Sequence, residues 1–292
     1  MKNKIGFLFI ALSIMMMGKM TGQSVSGGFK VGFNYSNIVG PSEMDNQGNA
    51  LETMNFDNGF HIGAIVNFRL SDVLGLRTEL LFSQKGTDYS FEGPSYWFFY
   101  PDENTTITST GGTRKTRLFV STSYFEVPLM IYGRVGSFEF SGGPSIAFLT
   151  GSKATGEIKY SAPTIDPFTV ALEFNYNKDK PMKELVPNQP RQMVNSAGVE
   201  IPAPKTVGAY YAALGTTDKL YNVVDFGLNA GVSYYLNKGL FIGLRANYGL
   251  LDVTKNEQDI SPSKYDEQAK TFFTNDDVDK NLSFQLSIGF NM

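Results

Sequence analysis

His61 is the single histidine in a chain of 292 residues that has no cysteine. As a general base it would belong to a Ser–His–acid hydrolase, here a membrane lipase, and would need a serine nucleophile and an orienting acid within hydrogen-bond reach. Ser36 and Ser83 are the serines placed to serve; the plainer expectation is a lone histidine near the outer rim of the fold. One imidazole without thiols makes no metal cluster. The absence of cysteine also removes disulfides, thiolate sites, cysteine nucleophiles and a lipidated N-terminal cysteine. Glu79 and Glu126 are the carboxylates a glycosidase would pair, but nothing in the sequence supplies a sugar cleft between them. Walker-type loops, dinucleotide fingerprints and metal-ligand spacings are absent, and Gly111-Gly112 falls in a loop with the wrong context for phosphate. The sequence therefore assigns no catalytic residue, no cofactor and no metal.

Lys30, Arg69, Arg77, Glu79, Glu126, Arg134, Glu139, Asp225 and Arg245 share one parity along segments that alternate apolar and polar residues. Both signs occur among them, which predicts a salt-bridge network filling a closed interior rather than a pore lined by one sign, because unpaired charges there are costly.

The elements that must position these side chains are strands. In 281–292 every even residue is apolar and every odd one is polar or glycine, a period of two with two unlike faces. The same alternation places strands at about 27–39, 58–70, 74–90, 117–134, 136–151, 224–236 and 240–250, eight in all. Short connections at 71–73, 135–136 and 237–239 alternate with long ones at 40–57, 91–116, 152–219 and 254–279. That order belongs to a barrel with one end in the periplasm and the other outside. Gly239 is expected in the left-handed position of a three-residue hairpin. Glycines such as Gly32, Gly63, Gly143, Gly231 and Gly289 crowd the polar face, while Phe, Leu, Ile and Tyr occupy the other. Small residues suit the narrow interior of eight strands, and a soluble barrel would carry Lys, Glu and Thr outside. The fold class is all-β: an eight-stranded antiparallel transmembrane up-and-down β-barrel with long extracellular loops.

Residues 1–23 hold Lys2 and Lys4, an apolar run over 5–17 and a small-residue zone at Thr21-Gly22-Gln23. This is the pattern of a cleavable signal peptide, too short for a helix of about 20 residues that spans a bilayer. With cleavage near Gly22 or Gln23 the domain is 24–292, located in the outer membrane. The removed segment carries three lysines and no acid, so the net charge moves from −3 to −6, which speaks against a nucleic-acid partner.

Tyr35, Tyr89 and Tyr248 near the outer strand ends, and Phe68, Phe138 and Tyr234 near the periplasmic turns, read as two interfacial belts. Tyr96, Trp97, Phe98, Phe99 and Tyr100 stand apart in a long loop as an external cluster able to contact a ligand, a protein or lipid. Packing on neighbouring loops, or continuing the strands above the membrane, is the simpler expectation. Pro128 and Pro144, nearly opposite within one hairpin, should mark a bulge or a local widening. The external insertion 152–219, with Pro181, Pro187, Pro190, Pro202 and Pro204, shows little periodicity and should be partly irregular.

At Arg77-Thr-Glu-Leu-Leu-Phe-Ser-Gln-Lys-Gly86, Tyr124-Phe-Glu-Val-Pro-Leu129 and Asp225-Phe-Gly-Leu-Asn-Ala-Gly231 the chain resembles the outer-membrane β-barrel family of Bacteroidota that includes the PorT-like proteins. Gly28-Phe-Lys-Val-Gly-Phe-Asn34 and Leu286-Ser-Ile-Gly-Phe290 extend the resemblance over the whole mature chain. It implies an eight-stranded barrel with no shared enzymatic activity or ligand; one member type is linked to protein secretion across the outer membrane. The terminal Asn-Met departs from the usual terminal aromatic, with Phe290 nearest to that role. The expected function is a non-enzymatic structural or binding protein acting through its external loops, the alternatives being a PorT-like secretion accessory or small pore, and then a membrane lipase. The expected partners are outer-membrane lipids, the barrel-insertion machinery and envelope or secretion proteins.

Overall fold

The computed structural model describes residues 24–181, 189–212 and 218–292. The export segment expected at 1–23 and Pro187 lie outside the described residues. Five long strands come first: β1 (Ser24–Val39), β2 (Glu52–Arg69), β3 (Leu74–Phe99), β4 (Ile107–Val135) and β5 (Phe138–Ala162). A set of shorter ones follows: β6 (Ile165–Asn175), β7 (Arg191–Ser196), β8 (Val199–Pro204) and β9 (Thr206–Val207). The chain then runs through β10 (Val224–Tyr235), β11 (Leu240–Gly249), β12 (Ile260–Asp266), β13 (Thr271–Thr274) and β14 (Lys280–Asn291).

Eight of these close a ring. β1 to β5 pair consecutively, β5 pairs β10, and β11 and β14 follow until β14 returns to β1. Every pairing in the ring is antiparallel. Closure removes the open edges that lipid cannot hydrate. On β1 and β14, Phe29, Phe33, Phe284, Leu286 and Ile288 are exposed while Lys30, Asn34, Ser283, Gln285 and Ser287 are buried. Large apolar side chains thus point out of the ring and polar ones into it, as the side-chain sizes predicted.

The strands outrun the membrane. β3 has 26 residues and β4 has 29, against about 10 for a tilted transmembrane strand. Their upper halves stay paired up to Phe99↔Ile107, so Tyr96 to Phe99 belong to a strand, and Gly111-Gly112 lie within β4 rather than a loop. The insertion is also mostly strand: β6 pairs with the outer half of β5 from Lys153↔Asn175 to Ala162↔Ile165, and β7–β8 and β9 add to it. With the separate β12–β13 hairpin, these elements form a cap above the barrel.

Turn chemistry differs from expectation in two places. The β4–β5 turn is Gly136-Ser137, with Gly136 at φ 61°, the position a type II′ turn gives to glycine. Gly239 is not left-handed; its turn is held by Asn237 Oδ1, which accepts the N–H groups of Gly239 (2.9 Å) and Leu240 (2.8 Å). Of the bulge or widening expected at Pro128 and Pro144, the hairpin shows no bulge but a local break in pairing. The register is the same at Pro128↔Ser145 and Ile131↔Gly142, and the shift in this hairpin falls at Ser123/Tyr124, so the ladder lapses for two residues without slipping.

Candidate functional site at the barrel mouth

The lumen is filled in strata. Nearest the periplasm, Glu139 binds Arg77 (2.7 Å) and Arg134 (2.9 Å), and the Tyr235 hydroxyl donates to it (3.1 Å). At mid-height Glu79 takes Lys30 (2.8 Å) and both terminal nitrogens of Arg245 (2.9 and 2.6 Å). Towards the outside Lys85 binds Glu126 (2.8 Å) and donates to Asn247 (3.2 Å), while Asn281 donates to Asp225 (2.9 Å). Eight of the nine charges expected inside are there. Arg69 is the exception: it is exposed at the periplasmic rim, one strand end too low to be covered. Lys85 belongs to the network and was missed, although its parity matches that of Arg77 and Glu79. Beside Lys30 and Ser287 the remaining space is about 10 Å³, room for at most a single water. Glu79 and Glu126 each face their own cations, so they form no glycosidase pair.

His61 does meet a serine, but a different one, and at mid-height rather than at the rim, since it pairs with Gly32 of β1 and Ser83 of β3. The β2–β3 register shifts between Asp57 and His61, and Asn34 fills the irregularity by donating to Phe60 O (3.1 Å) and Gln84 O (2.7 Å). Its amide orientation is fixed by those carbonyls. Asn34 Oδ1 must then accept from His61 Nδ1–H (2.7 Å), which leaves Nε2 to accept from the Ser287 hydroxyl (2.8 Å). A Cβ at Gly32 would lie 2.7 Å from the His61 ring, so only glycine admits the imidazole here. The set has the connectivity of a Ser–His–amide relay. It has no room for an acyl group, because His61 and Ser287 are both buried in the filled lumen.

The roomy site lies higher, where barrel and cap meet. A cavity of about 210 Å³ is walled by Met54, Tyr89 and Leu118 from the rim and by Leu172, Tyr176 and Tyr211 from the cap. Tyr89 therefore faces inward and is not part of the lipid belt, unlike Tyr35 and Tyr248, which are exposed. The 96–100 aromatics are buried as the core of the cap rather than displayed on it. Trp97 packs edge-on to Phe168 (5.3 Å) and against Tyr211 (5.2 Å), and Phe98 packs edge-on to Tyr265 (5.2 Å) and Phe272 (5.7 Å). Of the five, Tyr96 reaches the cavity wall.

One end of the cavity is acidic, with Glu52, Asp259, Asp277 and Asp279. Burial, then the charges of Asp279, Asp277 and Glu52, push Asp259 up to about 7. Asp279 is pushed up to about 6 by burial and by Asp277, and Glu52 and Asp277 are raised mainly by burial. Sequence reading missed all four, because they lie in the stretches assigned to loops.

A closed ring with an apolar exterior, a polar filling and a cap on one end defines an outer-membrane β-barrel. The chain belongs to the outer membrane protein beta-barrel domain family, whose model matches residues 21–255. It is similar to Ail, the attachment invasion locus protein of Yersinia pestis, at 10% identity over 94% of this chain and 100% of that chain (TM-score 0.34). OprG of Pseudomonas aeruginosa gives 11% identity over 92% and 97% (TM-score 0.35). The outer membrane protease OmpT of Escherichia coli gives 9% over 94% and 98% (TM-score 0.27). Likeness at this level carries nothing about activity. A comparison with curated proteins finds no match.

Proposed function

We propose that this is a non-enzymatic outer-membrane binding protein, exported by a cleaved segment at 1–23, whose working end is the external cap. One observation carries this reading: the lumen is filled and the space sits above it, in the cavity of about 210 Å³ between rim and cap. A site of this kind, walled largely by apolar and aromatic side chains with Arg114 and the four acids among its polar groups, suits a small, largely apolar molecule that carries a polar group. Trp97, the sole tryptophan, reports on it through Tyr211. With the protein in nanodiscs, 4-bromophenol should quench Trp97 fluorescence saturably, and Ala209→Phe, which fills the wall, should remove the saturable part. Linear collisional quenching in both proteins would sink the reading. Planar-bilayer conductance should be absent; steady single-channel steps would reinstate the small pore.

A second reading is a PorT-like accessory of secretion, with envelope proteins docking on the cap. Besides the resemblance of the sequence, it is favoured by Met193 and Val199, exposed on the β7–β8 hairpin beyond the membrane. Loss of secreted cargo on deletion of the gene supports it, and normal secretion eliminates it.

A further inference from the structure

We infer that Asp259, Asp277 and Asp279 form a binding site for a divalent cation of the calcium type, which clasps both stems of the β12–β13 hairpin to the barrel rim. Asp259 precedes β12, and the other two lie between β13 and β14, so the three come from the two ends of one excursion of the chain. One carboxylate oxygen from each lies within 4.8 Å of the others. Ligands on a single Ca²⁺, at 2.3–2.6 Å from the ion, are at most about 5 Å apart.

Proximity alone would not make this a site; the state of Asp279 does. Its residue is 3% exposed. One oxygen is held, because Asp279 Oδ2 accepts from the Thr254 hydroxyl (3.1 Å), and the Asp279 N–H is anchored on Asp252 Oδ1 (3.1 Å). The other, Asp279 Oδ1, is buried with no hydrogen-bond partner, and so is Asp277 Oδ1. Among the described residues no lysine or arginine forms an ion pair with Asp259, Asp277, Asp279 or the neighbouring Glu52. Buried carboxylate oxygens left bare are costly. The same chain meets Glu79, Glu126 and Glu139 in its lumen with cations, and Asp225 is the one lumen acid left with a bare oxygen, whereas here two bare oxygens belong to one cluster of three acids. An all-oxygen donor set with no imidazole or thiolate selects a hard cation over zinc. His61 lies far below in the lumen, so it cannot join.

Terbium luminescence on the full-length protein in detergent micelles, stripped with chelator, tests this. Tyr176 and Tyr221 line the same cavity and can sensitise a bound Tb³⁺. The expected result is saturable emission displaced by Ca²⁺ and much less by Mg²⁺. Asp277→Asn and Asp279→Asn should each weaken Tb³⁺ binding by about tenfold or more, and Asp166→Asn, an exposed acid elsewhere on the cap, should leave it unchanged. Asp277 is only partly buried, so its variant separates loss of a ligand from loss of fold. Calcium should also protect the 254–279 segment from protease in the wild type and not in Asp277→Asn. The same isotherm for wild type and Asp277→Asn, or no displacement of Tb³⁺ by about 10 mM Ca²⁺, tenfold above the weakest extracellular calcium modules, would overturn the inference.

Discussion

Lumen and cap solve the same problem in opposite ways. Both bury carboxylates. In the lumen Glu79, Glu126 and Glu139 each touch at least one ammonium or guanidinium at 2.6–2.9 Å, whereas Glu52, Asp259, Asp277 and Asp279 at the cavity have none among the described residues. Among the lumen acids Asp225 alone lacks an ion pair, Asn281 holding its Oδ2 while Oδ1 has no partner, whereas at the acidic end of the cavity all four acids do. On the proposed function, the difference gives rigidity to one region and binding to the other.

The comparison breaks most directly at Glu79. Glu79→Ala strands Lys30 and Arg245 in a filled interior, and removing one partner of a buried pair costs about 3–5 kcal/mol. Urea titration of the folded barrel, followed by its heat-modifiable migration, should show that loss; an unchanged midpoint would mean that the lumen charges are hydrated rather than sealed. Trp97→Ala removes a buried indole at a local cost of about 3–5 kcal/mol, but in the cap. The cap should become protease-sensitive while the barrel keeps its heat-modifiable migration, and joint failure of both would show that the two regions are one cooperative unit. Ser287→Ala leaves His61 Nε2 buried without a partner, a cost of about 1–3 kcal/mol, with no change in any lipid hydrolysis. A phospholipase activity abolished by this variant would make the relay catalytic. Arg69→Ala, at the exposed rim, should stay within about 0.5 kcal/mol of wild type; a larger loss would return Arg69 to the network.

The barrel was legible because membrane strands obey one strict rule, large apolar out and small polar in, which parity exposes without a partner sequence. Lys30, Arg77 and Glu139 follow it into the lumen. The His61 relay was not legible in that way, since Asn34 meets His61 across the β1–β2 pairing and Ser287 reaches it only once β14 has paired with β1. The cap is legible only in part. Ile158, Tyr160, Phe168, Val170, Leu172 and Phe174 alternate as strictly as any lumen strand and are buried, yet the prolines further along and the rule that long connections are loops outweighed that signal. On β3, Gly93-Pro94 reads as a stop, but Pro94 sits in the ladder opposite Thr113. The acid cluster was beyond reach, because a hairpin with its own register brings Asp259 back to Asp277.

The seam between β1 and β14 sets an order of events in time. It pairs residues such as Val39 with Lys280, so its loop-closure entropy is the largest in the ring, and the neighbouring hairpins form first. Until it shuts, both strand edges are open and His61 lacks its serine. The hazard for this chain is therefore kinetic: the duration of the open-edged intermediate, rather than the depth of the final well, decides how often a molecule pairs with the wrong neighbour.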